Sequence, residues 1–141
     1  MLDMNRVNSL LKNDQIWPAV ACDRCDLETF MAPEDAMYLG AYDGDINAGF
    51  FIIYPVNSVT VEIHTIIDPC FWGRSIEFTK QVIDWIFTET NVMKIITFIP
   101  EYNLKAKRLA EKSGMVLEGV VSNSFLKDGE LKSQFLYGVS K

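Results

Sequence analysis

The sequence has 141 residues, of which 49% are hydrophobic, 12% aromatic and 23% charged. This length and composition predict one globular domain over residues 1–141 and exclude a disordered chain. The formal net charge of −6 argues against a nucleic-acid-binding protein, because affinity for phosphates comes from Lys and Arg side chains.

The densest basic cluster falls on a predicted helix and is interpreted as a solvated face. Its members are Lys105, Lys107, Arg108 and Lys112. No apolar run reaches the roughly eighteen residues that a membrane-spanning helix needs, and the N-terminus lacks a signal-peptide layout. Three cysteines cannot all pair within the chain, which favours a reducing compartment. We therefore expect a soluble, cytoplasmic protein without membrane contacts.

In chain order, the first predicted element is a helix from Leu2 to Asn13. Val7, Leu10 and Leu11 recur there at the spacing of an amphipathic helix, whose apolar face is expected to pack on a sheet. The stretch Asp26 to Met37 is expected to be helical in part and to end near its Pro-Glu-Asp sequence.

Three strands are predicted next. Tyr38 to Tyr42 and Ile46 to Tyr54 flank an Asp-Gly-Asp turn, and Asp-Gly tolerates the positive φ that tight hairpins require. The β-branched residues of Val59 to Ile67 predict a third strand. The sheet is therefore expected to begin antiparallel.

A long helix is predicted from Trp72 to Thr90, with two apolar stripes that indicate broad burial. These stripes consist of Phe78, Val82 and Trp85, and of Ile76, Ile83 and Phe87. The continuous apolar run from Val92 to Ile99 is typical of a central strand covered on both faces. A helical connection permits this strand to pair in parallel with the third strand.

The last predicted elements are a helix and a hairpin. Asn103 is predicted to cap a helix that runs to Lys112 and ends at Gly114 in the left-handed conformation. Met115 to Lys127 and Leu131 to Val139 are predicted to pair around an Asp-Gly turn. The pattern as a whole predicts a mixed α/β protein.

Two segments, which lie beyond the first predicted strand, resemble the GNAT acetyltransferase superfamily. Asn103 to Met115 is similar to its helix-and-turn motif, with Asn, Ala three residues on, and Glu-Lys-x-Gly before an apolar residue. Pro69 to Ser75 lies where that superfamily carries its pyrophosphate-binding loop, at a helix N-terminus suited to anions. The resemblance implies a GNAT-like fold, a mixed and mostly antiparallel sheet flanked by helices.

The same resemblance implies acetyl-CoA as co-substrate, with its pantetheine arm between the third strand and the central strand. The residues expected to bind it are Ile66, Ile67, Trp72, Gly73, Arg74, Ser75 and Asn103. The loop departs from the superfamily pattern at Cys70, where Gln or Arg is usual, and at Ser75, where Gly or Ala is usual. Arg74 is expected to supply a phosphate partner instead.

Glu62 and His64 are separated by one residue, so both side chains project from one face of the third strand. Acetyl transfer to an amine needs a base that removes the ammonium proton, and either residue is a candidate; the alternative is an ordinary strand surface. The resemblance places a thiolate-protonating tyrosine where this chain has Ala110. The neighbouring hydroxyl groups that remain as alternatives belong to Tyr102, Tyr137 and Ser113.

Cys22 and Cys25 have the spacing of metal and redox sites. The chain has no second pair of this kind and one His, so we expect no metal site and two ordinary thiols.

A longer pattern is similar to a small GNAT-like family of tailed phages, some of whose members carry a head-assembly label. The pattern comprises Trp72 to Phe78, Val82 to Phe87, Ile99 with Pro100, Asn103 with Ala106, and Ser124 with Phe125. One function implied is acetyl transfer to a small or protein amine. The alternative is a catalytically degenerate platform that binds phage structural proteins during head assembly, in the host cytoplasm or on the virion. An open gap between the strands favours the enzyme, and a gap filled by Phe71, Trp72 or Tyr102 favours the platform.

Overall fold

A computed structural model describes residues 3–26, 28, 32 and 35–141. It confirms the predicted fold class: a six-stranded, mostly antiparallel mixed sheet flanked by helices. The strands are β1 Met37–Asp43, β2 Ile46–Pro55, β3 Thr60–Ile67, β4 Lys94–Pro100, β5 Val116–Lys127 and β6 Glu130–Ser140. The helices are α1 Met4–Leu11, α2 Trp17–Val20, α3 Ser75–Glu89 and α4 Leu104–Lys112, with a 3-10 helix at Pro69–Arg74.

The predicted N-terminal helix is confirmed as α1. Asp3 caps it by accepting a hydrogen bond from the backbone N–H of Asn5. Val7, Leu10 and Leu11 are buried against one face of the sheet, as their spacing predicts. Half of the predicted partly helical stretch that follows lies outside the described residues.

Both predicted hairpins are confirmed, because local backbone chemistry fixes them. The β1–β2 turn places Gly44 at φ 59°, and the β5–β6 turn places Asp128 at φ 53° and Gly129 at φ 77°. Only residues that tolerate positive φ fit such turns without strain. The strands on either side pair antiparallel.

The long helix begins later than predicted and is less broadly buried. Asp68 accepts a hydrogen bond from the N–H of Cys70 and opens a 3-10 helix, so α3 starts at Ser75 rather than at Trp72. One stripe of α3 packs on the sheet; its buried apolar members are Phe78, Val82, Ile83 and Ile86. The prediction that Trp85 belongs to the buried face was wrong. Trp85 is 42% exposed because the helical turn carries it away from the sheet side of Val82 and Ile86.

The central strand is confirmed, and it creates the main irregularity of the sheet. β4 lies between β3 and β6 in the strand order β1-β2-β3-β4-β6-β5. Its parallel pairing with β3 covers three residues, Thr60 to Glu62 opposite Lys94 to Ile96. Beyond this point the two strands have no paired register, so their carboxyl halves leave a gap.

α4 starts and ends as the sequence predicts. The side chain of Asn103 accepts a hydrogen bond from the N–H of Ala106 at 3.2 Å, and Gly114 follows the helix at φ 96°. Of the helices described, none is long and apolar enough to cross a membrane.

Candidate functional site

The gap between β3 and β4 opens into two cavities. The larger, here called the outer groove, has a volume of about 480 Å³ and is lined by Trp72, Ser75, Lys105 and Arg108 among others. The smaller, here called the inner cavity, has a volume of about 170 Å³. Both are lined by Ala19, Val20, Thr65, Ile66, Asn103, Ala106 and Leu109. With so many lining residues in common, they form one continuous recess.

The outer groove is positively charged although the protein carries a net charge of −6. Lys105 and Arg108, three residues apart on α4, both line it, and its described lining contains no carboxylate. The Nζ atom of Lys105 lies 4.0 Å from the ring centroid of Trp72, a cation–π contact. Lys105 and Arg108 are both exposed, as expected for a solvated face, and they also line the outer groove. Their three-residue spacing, next to Ala106 and Leu109, was the sequence pattern that could have predicted that both residues line the same groove.

Trp72 forms one wall of the outer groove without closing it. Its Nε1 donates a hydrogen bond to the carbonyl oxygen of Ile67 at 2.9 Å, which holds the indole beside the end of β3. Ser75, the first residue of α3, lies in the same lining. The gap is open, and neither Phe71 nor Tyr102 lines either cavity.

Five of the residues expected to bind the co-substrate come together at the recess. They are Ile66, Ile67, Trp72, Ser75 and Asn103. Arg74 and Gly73 lie outside its lining. A Cβ atom added at Gly73 would meet nothing within 4 Å, so open space surrounds this residue.

Arg74 is engaged by its own neighbours. Its guanidinium contacts Asp43 at 3.0 Å and Glu77 at 2.8 Å, and it lies 4.7 Å from the ring centroid of Phe78. The hydrogen bonds to Glu77, followed by the charge attraction of Glu77 and Asp43, raise the pKa of Arg74 further above its ordinary value. A phosphate contact by Arg74 stays a prediction, and it requires these ion pairs to open.

Glu62 and His64 contact each other on β3. Glu62 Oε1 lies 3.1 Å from His64 Nε2, and their side chains are 24% and 37% exposed. His64 also lines the inner cavity, and the ring of Tyr54 meets it edge-on with centroids 5.7 Å apart. Burial raises the pKa of Tyr54 above its ordinary value. Tyr54 was missed by sequence reasoning because its contact with His64 depends on the β2–β3 register.

None of the three residues with alternative hydroxyl groups lines the recess. Tyr137, 2% exposed, donates to Glu111 Oε1 at 2.8 Å, and Tyr102 donates to the carbonyl oxygen of Ala19 at 3.1 Å. Burial raises the pKa of Tyr102 to about 12. Like these two, Ser113 lines neither cavity. Ala110, where the superfamily tyrosine is expected, does line the inner cavity.

The short helix α2 is the outer wall of the recess. The carbonyl oxygen of Ala19 accepts hydrogen bonds from Tyr102 and, at 3.4 Å, from Nδ2 of Asn103. Lys127 Nζ donates to the carbonyl oxygens of Pro18 and Ala21 at 2.7 and 3.0 Å. Because Lys127 belongs to β5, these contacts join the N-terminal segment to an edge strand of the sheet.

Cys22 and Cys25 follow α2 and are both free thiols, with Sγ atoms 2.9 Å apart. The hydrogen bond with Cys25, and then burial, raise the pKa of Cys22. Asp23, between them, accepts hydrogen bonds from the N–H groups of Asp128 and Gly129. Within the described ranges, no group of three or more His, Cys, Asp or Glu residues is positioned to hold a metal ion.

The architecture matches solved acetyltransferase structures. Spermidine N-acetyltransferase from Vibrio cholerae, in complex with CoA and spermine, superposes with a TM-score of 0.80 over 98% of this chain and 89% of that chain, at 18% identity. A GNAT-family acetyltransferase from Bacillus anthracis gives a TM-score of 0.63 at 22% identity, and the match covers 69% of this chain and 60% of that one. The protein therefore has the GNAT fold.

The sequence itself identifies the family. The profile of DUF2824, described as a protein of unknown function, matches residues 6–141, and the chain belongs to this family. It is also 26% identical over 113 residues to "Putative protein p31" of Acyrthosiphon pisum secondary endosymbiont phage 1, a match that covers 79% of this chain and 73% of that protein.

Proposed function

We propose that this protein binds acetyl-CoA in the recess between β3 and β4 and transfers the acetyl group to an amine. The observation that carries this proposal is the divergence of the two strands after Glu62 and Ile96, beside a groove that holds Lys105 and Arg108. A polyanion with a narrow uncharged arm fits such a recess, because charge is attracted to the groove and excluded from the apolar cavity.

The phosphates of CoA would lie in the outer groove. Lys105 and Arg108 supply charge there, and the N-terminus of α3 at Ser75 supplies the positive end of a helix dipole. The arm would run along Thr65, Ile66 and Ile67 into the inner cavity. Backbone groups of β3 alternate in direction, so those that face β4 in the diverging half are free of a strand partner.

The amine would react beside His64 and Glu62. Acetyl-CoA supplies the acyl carbon, and the attacking amine must first lose a proton from its ammonium form. Either the His64 imidazole accepts that proton and the resulting imidazolium is stabilised by its contact with the Glu62 carboxylate, or the Glu62 carboxylate accepts the proton and becomes a neutral acid. The second amine proton passes to the leaving sulfur as the C–S bond breaks and the C–N bond forms.

The first test is calorimetric titration with CoA and acetyl-CoA. Ala106 lines both cavities, so Ala106→Phe should fill the recess and abolish binding. Gly119→Ala is the matched control, since Gly119 lies on β5 outside both cavity linings, its Cβ meets open space and binding should persist. Failure of the wild-type protein to bind either compound would overturn the proposal.

The second test is turnover, followed by release of the CoA thiol with spermidine as the probe amine. Glu62→Gln and His64→Gln should each lower the rate by about 10²-fold or more, the usual contribution of a general base. CoA affinity should stay near the wild-type value in both variants. Equal turnover in all three proteins would remove these residues from the proposed chemistry.

A second candidate function is a binding platform for phage structural proteins in head assembly. Two observations favour it: the similarity to a phage protein and an exposed apolar row on the edge strand β5. The row consists of Val116, Leu117, Val120 and Val121, each at least 43% exposed. This function predicts cosedimentation with phage proheads that Val120→Lys abolishes, in a protein that binds no CoA.

A further inference from the structure

Cys22 and Cys25 place two thiols in contact at the surface of the protein. Their Sγ atoms lie 2.9 Å apart, and both residues are free cysteines. A disulfide bond is about 2.05 Å long, so a movement of about 1 Å brings the two sulfur atoms to bonding distance. The pair is therefore positioned for oxidation to an intramolecular disulfide.

The backbone between the two cysteines keeps them within disulfide range. The N–H of Cys25 donates to the carbonyl oxygen of Cys22 at 3.3 Å, which closes a four-residue turn. The first and fourth Cα atoms of such a turn lie within about 7 Å, and disulfides join Cα atoms about 4.4–6.8 Å apart. Arg24, the third residue of the turn, has a φ of 72°, a positive value that this position adopts in several turn types. A disulfide can therefore form without rebuilding the turn.

Asp23 fixes this turn against the β5–β6 hairpin. Its carboxylate accepts hydrogen bonds from the N–H groups of Asp128 and Gly129 at 3.0 and 2.7 Å. Its own N–H donates to the carbonyl oxygen of Leu126 at 2.8 Å. Because these contacts already order the loop, bond formation between the thiols loses less conformational entropy than it would in a free chain. The folded protein thus preorganises the pair.

The two thiols differ in access and in ionisation. Cys25 is exposed, whereas Cys22 is half-buried. The hydrogen bond with Cys25, and then burial, raise the pKa of Cys22, which disfavours its thiolate form. Thiol–disulfide exchange begins with attack by an accessible thiolate. Cys25 is therefore placed to react first, and Cys22 to react second.

We propose that Cys22 and Cys25 form a reversible redox site, which a low-molecular-weight disulfide such as oxidised glutathione converts to an intramolecular disulfide. The Cys25 thiolate attacks one sulfur of oxidised glutathione, whose S–S bond breaks and releases one glutathione thiolate. Cys22 then loses its proton and attacks Cys25 Sγ, which releases the second glutathione. Two protein thiols and one glutathione disulfide thus become one protein disulfide and two molecules of reduced glutathione. This site replaces the expectation of two ordinary thiols, and it does not depend on acetyl transfer.

The test is reaction of the folded protein with oxidised glutathione, followed by acid quenching and intact mass spectrometry. All proteins carry Cys70→Ser, which removes the third cysteine of the chain. The protein with both Cys22 and Cys25 should lose the mass of two hydrogen atoms and retain no glutathione, and a reducing dithiol should restore its mass. Cys22→Ser should retain one glutathione on Cys25. Cys25→Ser should acquire one on Cys22 at least about 3-fold more slowly, because that thiol is less accessible and less ionised.

Asp23→Ala tests whether the fold, rather than the spacing alone, creates the site. It removes the carboxylate that anchors the turn and keeps both thiols, so the ratio of disulfide to dithiol in a glutathione redox buffer should fall about 5-fold. Asp45→Ala is the matched control, because Asp45 is an exposed carboxylate in the β1–β2 turn and its removal should leave the ratio unchanged.

Several results would overturn the proposal. They are absence of reaction, a stable glutathione adduct on Cys25 while Cys22 is present, and a disulfide that joins two chains. Equal reaction rates of Cys22→Ser and Cys25→Ser would overturn the order of the two steps. An unchanged ratio in Asp23→Ala would overturn the preorganisation of the pair by the fold.

Discussion

Replacement of Asn103 tests helix capping and the proposed ligand site together, because its side chain caps α4 and the residue lines both cavities. Its Oδ1 caps α4 through the N–H of Ala106, and its Nδ2 donates to the carbonyl oxygen of Ala19 at 3.4 Å. Loss of an N-cap costs about 1 kcal/mol, and loss of a hydrogen bond this long costs about 0.5 kcal/mol. We therefore expect Asn103→Ala to lower the free energy of unfolding by about 1.5 kcal/mol. For a chain of 141 residues this corresponds to a fall in Tm of about 5 °C.

Asn103→Asp is the complementary variant, because it keeps the helix cap and removes the hydrogen bond to Ala19. A carboxylate still caps the helix and interacts favourably with its dipole, while the hydrogen bond to Ala19 is lost, so Tm should fall by no more than about 2 °C. The new negative charge lies in the lining of both cavities, so CoA affinity should decrease in Asn103→Asp. Urea denaturation, thermal melting and calorimetry measure these quantities. Equal losses of Tm in the Ala and Asp variants would refute the capping explanation.

Three other substitutions test features of the fold. The hydrogen bond from Arg6, and then that from a backbone N–H, hold the pKa of Asp68 below its ordinary value of 3.8. The ionised carboxylate therefore stabilises the folded protein above pH 3.8, and this stabilisation is lost as the pH falls through the lowered pKa. Asp68→Asn should therefore cost about 0.5–1 kcal/mol at neutral pH and nothing in strong acid, as melting curves across the acidic range will show. Tyr137→Phe should lower the unfolding free energy by about 1–1.5 kcal/mol through loss of its bond to Glu111, yet leave CoA affinity unchanged in calorimetry. Gly49→Ala should cost more than about 2 kcal/mol in urea denaturation, because its φ is 153° and a Cβ would collide with the backbone of β3.

Features fixed by neighbouring residues were the ones that the sequence predicted well. The turn at Gly44 follows from its tolerance of positive φ, and α4 begins at Asn103 because an amide oxygen replaces the missing helical acceptor. The helix α1 follows from the spacing of its apolar residues. The start of α3 was placed too early because Phe71 and Trp72 continue an apolar pattern, and the cap from Asp68 directs that segment into a 3-10 helix.

Features that depend on distant segments were predicted only in part. Arg74 is paired with Asp43 from the β1–β2 hairpin, which no local pattern in the loop indicates. Lys105 faces Trp72 only because α4 packs beside the end of β3.

The position of α2 links ligand occupancy to the stability of the N-terminal segment. Ala19 and Val20 form part of both cavities, and most of the other lining residues belong to the sheet, the 3-10 helix, α3 and α4. A ligand that contacts α2 binds only when α2 is packed against the recess. Its binding free energy therefore adds to the free energy that holds α2 in place. Amide exchange across α2 should therefore slow with ligand concentration before any change in the strands. Amide exchange in α2, a segment whose sequence resembles no acetyltransferase motif, would then be the most direct measure of ligand occupancy in the recess.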